Sequence, residues 1–385
     1  MKNFNFYNPT QIVFGQDRLA ELDSLVPANA KVMVLYGGGS VKRFGTLENV
    51  AKGLGSREVI EFGGIEPNPE FDTLMRAVER VRSEGVDFLL AVGGGSVMDG
   101  AKFVALAANA DGHHHTLLFH GYAPVPVSEA LPLGCVVTLP ATGSESNPFG
   151  VVTFNAQKYS FMSPLTFPKF SFLDPDLTLT LPDEQIANGV ADAFIHVVEQ
   201  YLTYPVNARV QDRFAEGLLK TLIEVGPVTL ADSNDIEARK NFIWSATMAL
   251  NGLIGSGVPQ DWTTHMIGHE MTAMFGIAHG RTLAIVLPSL LRERKEQKRA
   301  KLLQFAERVW EITEGSDDDK IDAAIDKTEA FFNSLGIVTS VSHYGIEDAD
   351  IDTIVGNMEK MGLKALSESR DLTLDTVRDI LIAAK

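Results

Sequence analysis

Cysteine is nearly absent from this chain: Cys135 is the single one among 385 residues, so no internal disulfide can form. That composition is typical of a reducing compartment, and the apolar run of residues 134–139 favours a buried, inert thiol. Basic residues are also scarce, since 33 Lys and Arg stand against 50 Asp and Glu, for a formal net charge of −17. A field of this sign makes nucleic acids and anionic membrane surfaces poor partners.

Long apolar segments are missing as well. The most apolar stretches, residues 87–92 and 283–291, are far shorter than the roughly 20 residues that cross a bilayer. The first eight residues lack the apolar core of a secretory signal. Hydrophobic residues nevertheless make up 45% of the chain, enough to build a packed core. We therefore expect a soluble, acidic, cytoplasmic protein with about two domains.

The pattern of apolar residues changes near residue 182. Before it, β-rich runs alternate with helical patterns, which predicts a doubly wound, mostly parallel, Rossmann-like sheet. Predicted strands cover residues 11–14, 31–36, 58–62, 88–92, 135–139 and 170–173, and predicted helices cover 71–83 and 99–108. After it, apolar spacings of three and four predict helices from Glu184 onward, over 209–224, 236–251, 299–313, 321–335 and 374–384. We expect an α/β domain, residues 1–182, and an all-helical domain, residues 183–385.

Two glycine-rich loops share the sequence Gly-Gly-Gly-Ser-Val, at residues 37–41 and 93–97, and each follows a predicted strand. A strand, a glycine loop and a helix N-terminus together can hold a phosphate through backbone N–H groups. Neither loop matches the usual dinucleotide fingerprint, because Lys42 and Met98 stand where its third glycine belongs. One such loop could be a simple tight turn, but the pair favours a dinucleotide.

The first of these loops indicates which dinucleotide binds. It offers Ser40, Lys42 and Arg43 but no carboxylate. A free ribose 2′-hydroxyl usually meets Asp or Glu, whereas a 2′-phosphate needs hydroxyl, amide and cationic donors. The loop therefore favours NADP(H) over NAD(H).

The helical half contains two pairs of polar residues at the i, i+4 spacing that places both on one helix face: Asp192 with His196, and His265 with His269. His279 follows after a short predicted turn. One carboxylate with three imidazoles suits a divalent transition metal, and without thiolates a catalytic Zn²⁺ or Fe²⁺ site is favoured over a structural one. Such histidines can also be ordinary core or surface residues, but their clustering in one domain favours a metal site.

Together these segments resemble the iron-containing (group III) alcohol dehydrogenase family. The resemblance rests on residues 9–15, 67–69, 93–100 and 138–145, and on the Asp and His pattern just described. It implies the dehydroquinate synthase-like fold of that family. It also implies a metal-dependent oxidoreductase that reduces small aliphatic aldehydes to alcohols with NADPH, and a homodimer paired through a strand-like segment at residues 3–14.

The resemblance further implies which residues form the sites. The family's four metal ligands fall on Asp192, His196, His265 and His279. Its cofactor-binding positions fall on ten residues of the α/β domain: Gly38, Ser40, Gly94, Gly95, Ser96, Asp99, Thr138, Thr142, Asn147 and Lys158. His269 is the nearest spare imidazole and a candidate catalytic proton relay, although a water molecule could serve equally.

Two other functions stay open at this point. A lyase of the dehydroquinate synthase type would use NAD and a metal, and would need cations for a phosphorylated, carboxylated substrate. Around the metal segments only Arg281 is cationic, whereas Phe194, Met266 and Trp262 are apolar, which favours a small uncharged substrate. The remaining alternative is a non-catalytic metal- or nucleotide-binding module, and the complete metal and cofactor sets argue against it.

One segment departs from the pattern of the relatives. Residues 111–129 include three consecutive histidines at 113–115. We interpret this stretch as a mobile surface loop whose histidines have at most an incidental affinity for metal. If it borders the substrate pocket, substrate specificity would differ from that of the relatives.

Overall fold

A computed structural model describes residues 1–121 and 123–385. It divides into two compact units, Tyr7–Leu181 and a second unit made of Pro182–Lys385 with Met1–Phe6. The predicted division after residue 182 thus differs from the observed one mainly at the N-terminus. The N–H of Lys2 donates to the carbonyl of Gly257 at 2.9 Å, which ties the first residues to the helical unit.

The α/β unit is built on a six-stranded sheet with the order β1-β8-β5-β4-β2-β3, in which every neighbouring pair is parallel. Its strands are β1 (Gln11–Phe14), β2 (Val32–Tyr36), β3 (Val59–Phe62), β4 (Phe88–Gly93), β5 (Leu133–Val137) and β8 (Phe170–Leu173). Its helices are α1 (Leu22–Leu25), α2 (Ser40–Arg43), α3 (Thr46–Leu54), α4 (Phe71–Glu84) and α5 (Gly95–Ala107). The prediction of a doubly wound parallel sheet is confirmed.

The central strands are buried along their whole length, because helices cover both faces of a parallel sheet. This is why they read in the sequence as continuous apolar runs. Two predicted elements of this unit differ from the prediction by two residues or more: β5 begins and ends two residues earlier, and α5 begins at Gly95 instead of residue 99. The second difference arises because Gly94 is the N-cap of α5, so the glycine loop turns directly into the helix.

An antiparallel hairpin of β6 (Phe149–Phe154) and β7 (Gln157–Met162) was not predicted from the sequence. Its turn is formed by Asn155 and Ala156, both with positive φ, at 52° and 59°. Two-residue hairpin turns of this kind usually carry Asn-Gly. Because Ala occupies the second position, the ordinary sequence signal for the hairpin is missing.

The segment that contains the three histidines is more regular than the loop that was expected. His114–His120 form a 3₁₀ helix. The ring of His115 stacks on Phe154 of β6, with centroids 5.7 Å apart, and Nε2 of His114 lies 3.1 Å from the guanidinium of Arg82. The segment therefore packs against the unpredicted hairpin.

The second unit is helical throughout, as predicted. Its helices are α6 (Asp183–Tyr201), α7 (Arg209–Ala231), α8 (Ile236–Ala249), α9 (Thr263–Phe275), α10 (His279–Glu293), α11 (Arg299–Arg308), α12 (Asp317–Ser334), α13 (Asp348–Lys360) and α14 (Leu374–Ala383). Helix α6 is buried over most of its length and packs against α7, α8 and α10. It begins at Asp183 with Pro182 as N-cap, one residue before the predicted start. Within the described ranges no helix combines the length and the apolar character needed to traverse a bilayer.

Candidate metal centre and cofactor loops

Three helices bring the ligand atoms of Asp192, His265 and His279 within 4.8 Å of one another, and the fourth predicted ligand, His196, lies beside Asp192. Asp192 and His196 lie one turn apart on the buried face of α6, and His265 lies in the first turn of α9. His279 is the first residue of α10. The sequence had predicted that it follows a short turn. Trp262 caps α9 with a positive φ of 66°, a conformation that is uncommon for a bulky residue.

These side chains converge on one carboxylate oxygen. Oδ1 of Asp192 lies 3.6 Å from Nε2 of His196, 3.6 Å from Nε2 of His265 and 4.0 Å from Nε2 of His279. Ligand atoms bound at about 2.1 Å to one tetrahedral ion lie about 3.4 Å apart, close to these separations. The ring of His196 also stacks on that of His265, with centroids 4.7 Å apart.

The chemistry of this donor set fits a divalent transition metal. Asp192, His196 and His265 are all buried, and Nε2 of His265 has no hydrogen-bond partner among the described residues. A buried nitrogen without a partner is costly, and a metal ion would satisfy it. Imidazole nitrogens with one carboxylate oxygen are ligands that Zn²⁺ and Fe²⁺ accept.

The two most buried imidazoles differ in basicity. Burial lowers the pKa of His196 to about 4, although the charge of Asp192 opposes this shift. Burial acts in the same direction on His265, but the charges of Glu199 and Asp192 outweigh it and raise the pKa of His265 to about 9. A metal ligand must be a neutral imidazole, so metal binding at His265 displaces a proton.

Gly280 allows α10 to begin directly against α6. A Cβ atom at this position would lie 2.2 Å from the carbonyl oxygen of Asn188, which is one turn before Asp192. Only glycine permits this backbone contact, and the contact sets where His279 stands relative to Asp192.

The α/β unit presents its predicted cofactor residues at the carboxyl ends of adjacent strands. Gly38 and Ser40 follow β2, while Gly94, Gly95 and Ser96 form the start of α5 directly after β4. Thr138 and Thr142 follow β5, and a Cβ atom on Gly95 would lie 2.6 Å from the Thr142 side chain. The first N–H groups of α5, a helix of 13 residues, therefore lie beside the point where strand order reverses. Nucleotide phosphates usually bind at such a point.

Comparison with known proteins shows the family of this chain. The model of the iron-containing alcohol dehydrogenase family matches residues 9–175, and the model of the C-terminal domain of that family matches residues 186–384. The chain belongs to the iron-containing alcohol dehydrogenase family.

Individual relatives match over the full length. The NADPH-dependent aldehyde reductase YqhD of Escherichia coli strain K12 is 53% identical, and the alignment covers 100% of both chains. A protein named probable NADH-dependent butanol dehydrogenase 1, from Bacillus subtilis strain 168, is 38% identical, again over 100% of both chains. The crystal structure of E. coli YqhD superposes with a TM-score of 0.98, covering 100% of this chain and 99% of that one.

The remaining predicted cofactor residues are already bonded to protein groups. The carboxylate of Asp99 accepts a hydrogen bond from Ser144 Oγ at 2.6 Å and another from the N–H of Val151 at 3.0 Å. The amide oxygen of Asn147 accepts from Lys102 Nζ at 3.0 Å. These bonds hold the loop after β5 and the hairpin against α5, so the structure places Asp99 and Asn147 in contacts within the protein beside the predicted cofactor loop.

Sequence reasoning missed Lys102 and Asn68 in this network. Lys102 is fully buried and donates to Ser144 Oγ at 2.7 Å and to the carbonyl of Phe149 at 2.6 Å. Asn68 accepts from Lys158 Nζ at 3.0 Å, and its N–H donates to Ser96 Oγ at 3.2 Å. The signal for Lys102 was available, because it lies one turn after Asp99 on the same face of α5.

The first glycine loop itself contains no acidic residue, but an acidic residue of a neighbouring strand lies next to it. Strand β3 places Glu61 beside it, with Oε2 at 2.7 Å from Lys42 Nζ. The same oxygen accepts a hydrogen bond from the hydroxyl of Tyr36 at 3.2 Å. The cation expected to meet a 2′-phosphate is therefore already paired with a carboxylate.

His269 lies beside the metal ligands. Its ring centroid is 5.0 Å from that of His279 and 6.3 Å from that of His265. It is half-buried, whereas His265 is buried. This geometry leaves His269 near the candidate metal centre without placing it among the groups that converge on Asp192.

Sequence reasoning also missed Glu199. It follows Asp192 by seven residues and His196 by three, so that all three lie on one face of α6. Its carboxylate is hydrogen-bonded to Nδ1 of His265. The helical spacing was a usable signal, but the partner on α9 was not readable from it.

Proposed function

We propose that this protein reduces small aliphatic aldehydes to alcohols with NADPH, and catalyses the reverse reaction, with one divalent transition metal, Zn²⁺ or Fe²⁺, bound by Asp192, His196, His265 and His279. The convergence of three imidazoles on one buried carboxylate oxygen carries this proposal. The name of the E. coli relative, an NADPH-dependent aldehyde reductase that is 53% identical, supports it.

A metal ion bound at these four side chains supplies a Lewis acid for a carbonyl oxygen, and NADPH supplies the hydride. The protein side chains orient and shield this chemistry. The ring of Trp262 packs edge-on against His196 and His265, with centroids 6.0 and 5.2 Å away, and limits the access of water to them. His269 supplies an imidazole that can hold a proton beside the ligands.

The surroundings of the ligands favour a small uncharged substrate over the phosphorylated substrate of a lyase. Arg281 is the cation that such a substrate would need near the metal segments. Its Nε lies 3.2 Å from a carboxylate oxygen of Glu184, so its charge is already compensated.

The test of the metal assignment compares two histidine variants. His279→Ala removes one of four ligands, so metal content should fall strongly and kcat should fall by roughly a thousandfold or more. NADPH should still bind, because its phosphates are held by the α/β unit. His269→Ala should keep its metal while turnover falls by a smaller factor. Full metal occupancy and near-normal turnover in His279→Ala would show that the ligand assignment is wrong.

The cofactor assignment rests on Gly38, Ser40 and Lys42. Among described residues nothing lies within 4 Å of a Cβ atom built on Gly38, so a longer side chain fits there. Gly38→Asp should place a carboxylate near the 2′-phosphate and shift preference from NADPH toward NADH. Steady-state kinetics with both cofactors test this, and equal kcat/KM for NADPH and NADH in the unsubstituted enzyme would contradict the assignment.

We also propose a cytoplasmic homodimer. The N-terminal segment exposes Phe4, Phe6 and Tyr7, with 77% of Tyr7 accessible, and a partner copy would cover these rings. In the isolated chain only Gln11–Phe14 of the expected strand-like segment form a strand. Light scattering at micromolar concentration tests the dimer, and a stable monomer would count against it.

The single thiol, Cys135, is free and buried, which suits a reducing compartment.

A further inference from the structure

Glu199 is a buried carboxylate that contacts a predicted metal ligand without being one. It is 3% exposed, and its Oε2 is hydrogen-bonded to Nδ1 of His265. Its Oε1 accepts the backbone N–H of Thr264 at 2.7 Å. Both oxygens therefore have defined partners, and both partners belong to the first turn of α9.

When His265 is neutral, as metal binding requires, this contact determines which of its two nitrogens carries the remaining proton. A neutral imidazole has one N–H, and an ionised carboxylate can only accept. Nδ1 must therefore donate to Glu199, which leaves the lone pair of Nε2 directed toward Oδ1 of Asp192 at 3.6 Å. We propose that Glu199 is a positioning residue that holds His265 in the one tautomer and ring orientation able to bind the metal. The inference rests on the metal site of the proposed function.

The surroundings of Glu199 keep its carboxylate in place. Its backbone carbonyl accepts the N–H of Asp261 at 2.9 Å. The side chain of Asp261 is paired with the buried Lys298, Oδ2 to Nζ 2.8 Å, and Lys298 also donates to the carbonyl of Leu202 at 2.7 Å. The C-terminal part of α6 and the residues just before α9 are thus tied together next to Glu199.

Two substitutions separate positioning from simple packing. In Glu199→Gln the amide oxygen can accept from Thr264, but its NH₂ group then faces Nδ1 of His265. Nδ1 must become the acceptor, so the proton moves to Nε2 and blocks the metal. The opposite amide orientation sets two donors, the NH₂ group and the N–H of Thr264, against each other. Glu199→Ala leaves a cavity but lets His265 bond to water in either tautomer.

The experiment measures Zn²⁺ affinity of the full chain by competition with a chelator, together with the visible spectrum of the Co²⁺-substituted protein and thermal unfolding without metal. If Glu199 positions His265, Glu199→Gln should weaken Zn²⁺ binding by about tenfold to a hundredfold, more than Glu199→Ala does. It should also alter the Co²⁺ spectrum. Ala should lower the unfolding temperature more than Gln, because it deletes buried volume. The order of the two variants is thus opposite in the two measurements.

Glu270→Gln is the matched control. Glu270 lies on α9 and is as buried as Glu199, but its hydrogen bond is to Asn357 and not to an imidazole. Its Zn²⁺ affinity should stay within about twofold of the unsubstituted protein. The inference is overturned if Glu199→Gln binds Zn²⁺ as tightly as the unsubstituted protein does, or more tightly than Glu199→Ala does. Either result leaves the proposed metal site unaffected. If the unsubstituted protein binds neither Zn²⁺ nor Fe²⁺, the proposed function fails and the inference fails with it.

Discussion

Replacing Gly280 by Ala should disrupt the metal centre without touching any ligand. The added Cβ would lie 2.2 Å from the carbonyl oxygen of Asn188, and ordinary contact begins only near 3.4 Å. Helix α10 must therefore move by about 1 Å, and it carries His279 with it. Metal sites tolerate deviations of only about 0.2 Å in ligand distances. Zn²⁺ affinity should fall by about a hundredfold or more, as after loss of one ligand.

The measurements are Zn²⁺ affinity by chelator competition and thermal unfolding of the metal-free protein. Forcing a methyl group into a packed helix contact costs about 1–3 kcal/mol, or roughly 2–4 °C in unfolding temperature per kcal/mol. Gly217→Ala on α7 is the control, because nothing among described residues lies within 4 Å of a Cβ there. That change should leave Zn²⁺ affinity alone and raise stability by about 0.5–1 kcal/mol. Zn²⁺ affinity within about twofold of normal in Gly280→Ala would refute the argument that this contact positions His279.

Two further predictions concern the α/β unit. Glu61→Gln frees Lys42 from its exposed ion pair, so kcat/KM for NADPH should rise about twofold to fivefold relative to kcat/KM for NADH. The rise should be smaller at high salt. An equal change for both cofactors would be inconsistent with a 2′-phosphate contact. Burial lowers the pKa of Lys102 to about 8, against about 10.5 in an unfolded chain, so between these values the unfolded state binds more protons and stability rises with pH. Urea denaturation measures the unfolding free energy of the unsubstituted protein and of Lys102→Met at each pH. The difference between the two should change in favour of the unsubstituted protein by on the order of 3 kcal/mol from pH 7.5 to 10.5. A difference that does not change with pH would contradict the assignment.

Some elements were readable from the sequence and others were hidden. The sheet strands were predicted within about two residues because buried parallel strands are unbroken apolar runs. The hairpin of β6 and β7 was missed because its turn carries Ala156 where glycine is usual. The 3₁₀ helix at His114–His120 was missed for the same reason, since His115 packs against the hairpin at Phe154.

The sequence by itself determined the residue types of the candidate metal site and the helical face that Asp192 and His196 share, because i, i+4 spacing is a property of one helix. Only the tertiary structure decided that α9 and α10 bring His265 and His279 to the same oxygen. It alone revealed that Glu199 stands behind His265 and that Glu61 pairs with Lys42. The physical reason is that periodicity reports which face an element buries, whereas the partner on that face depends on close packing between distant segments, such as the contact that Gly280 permits.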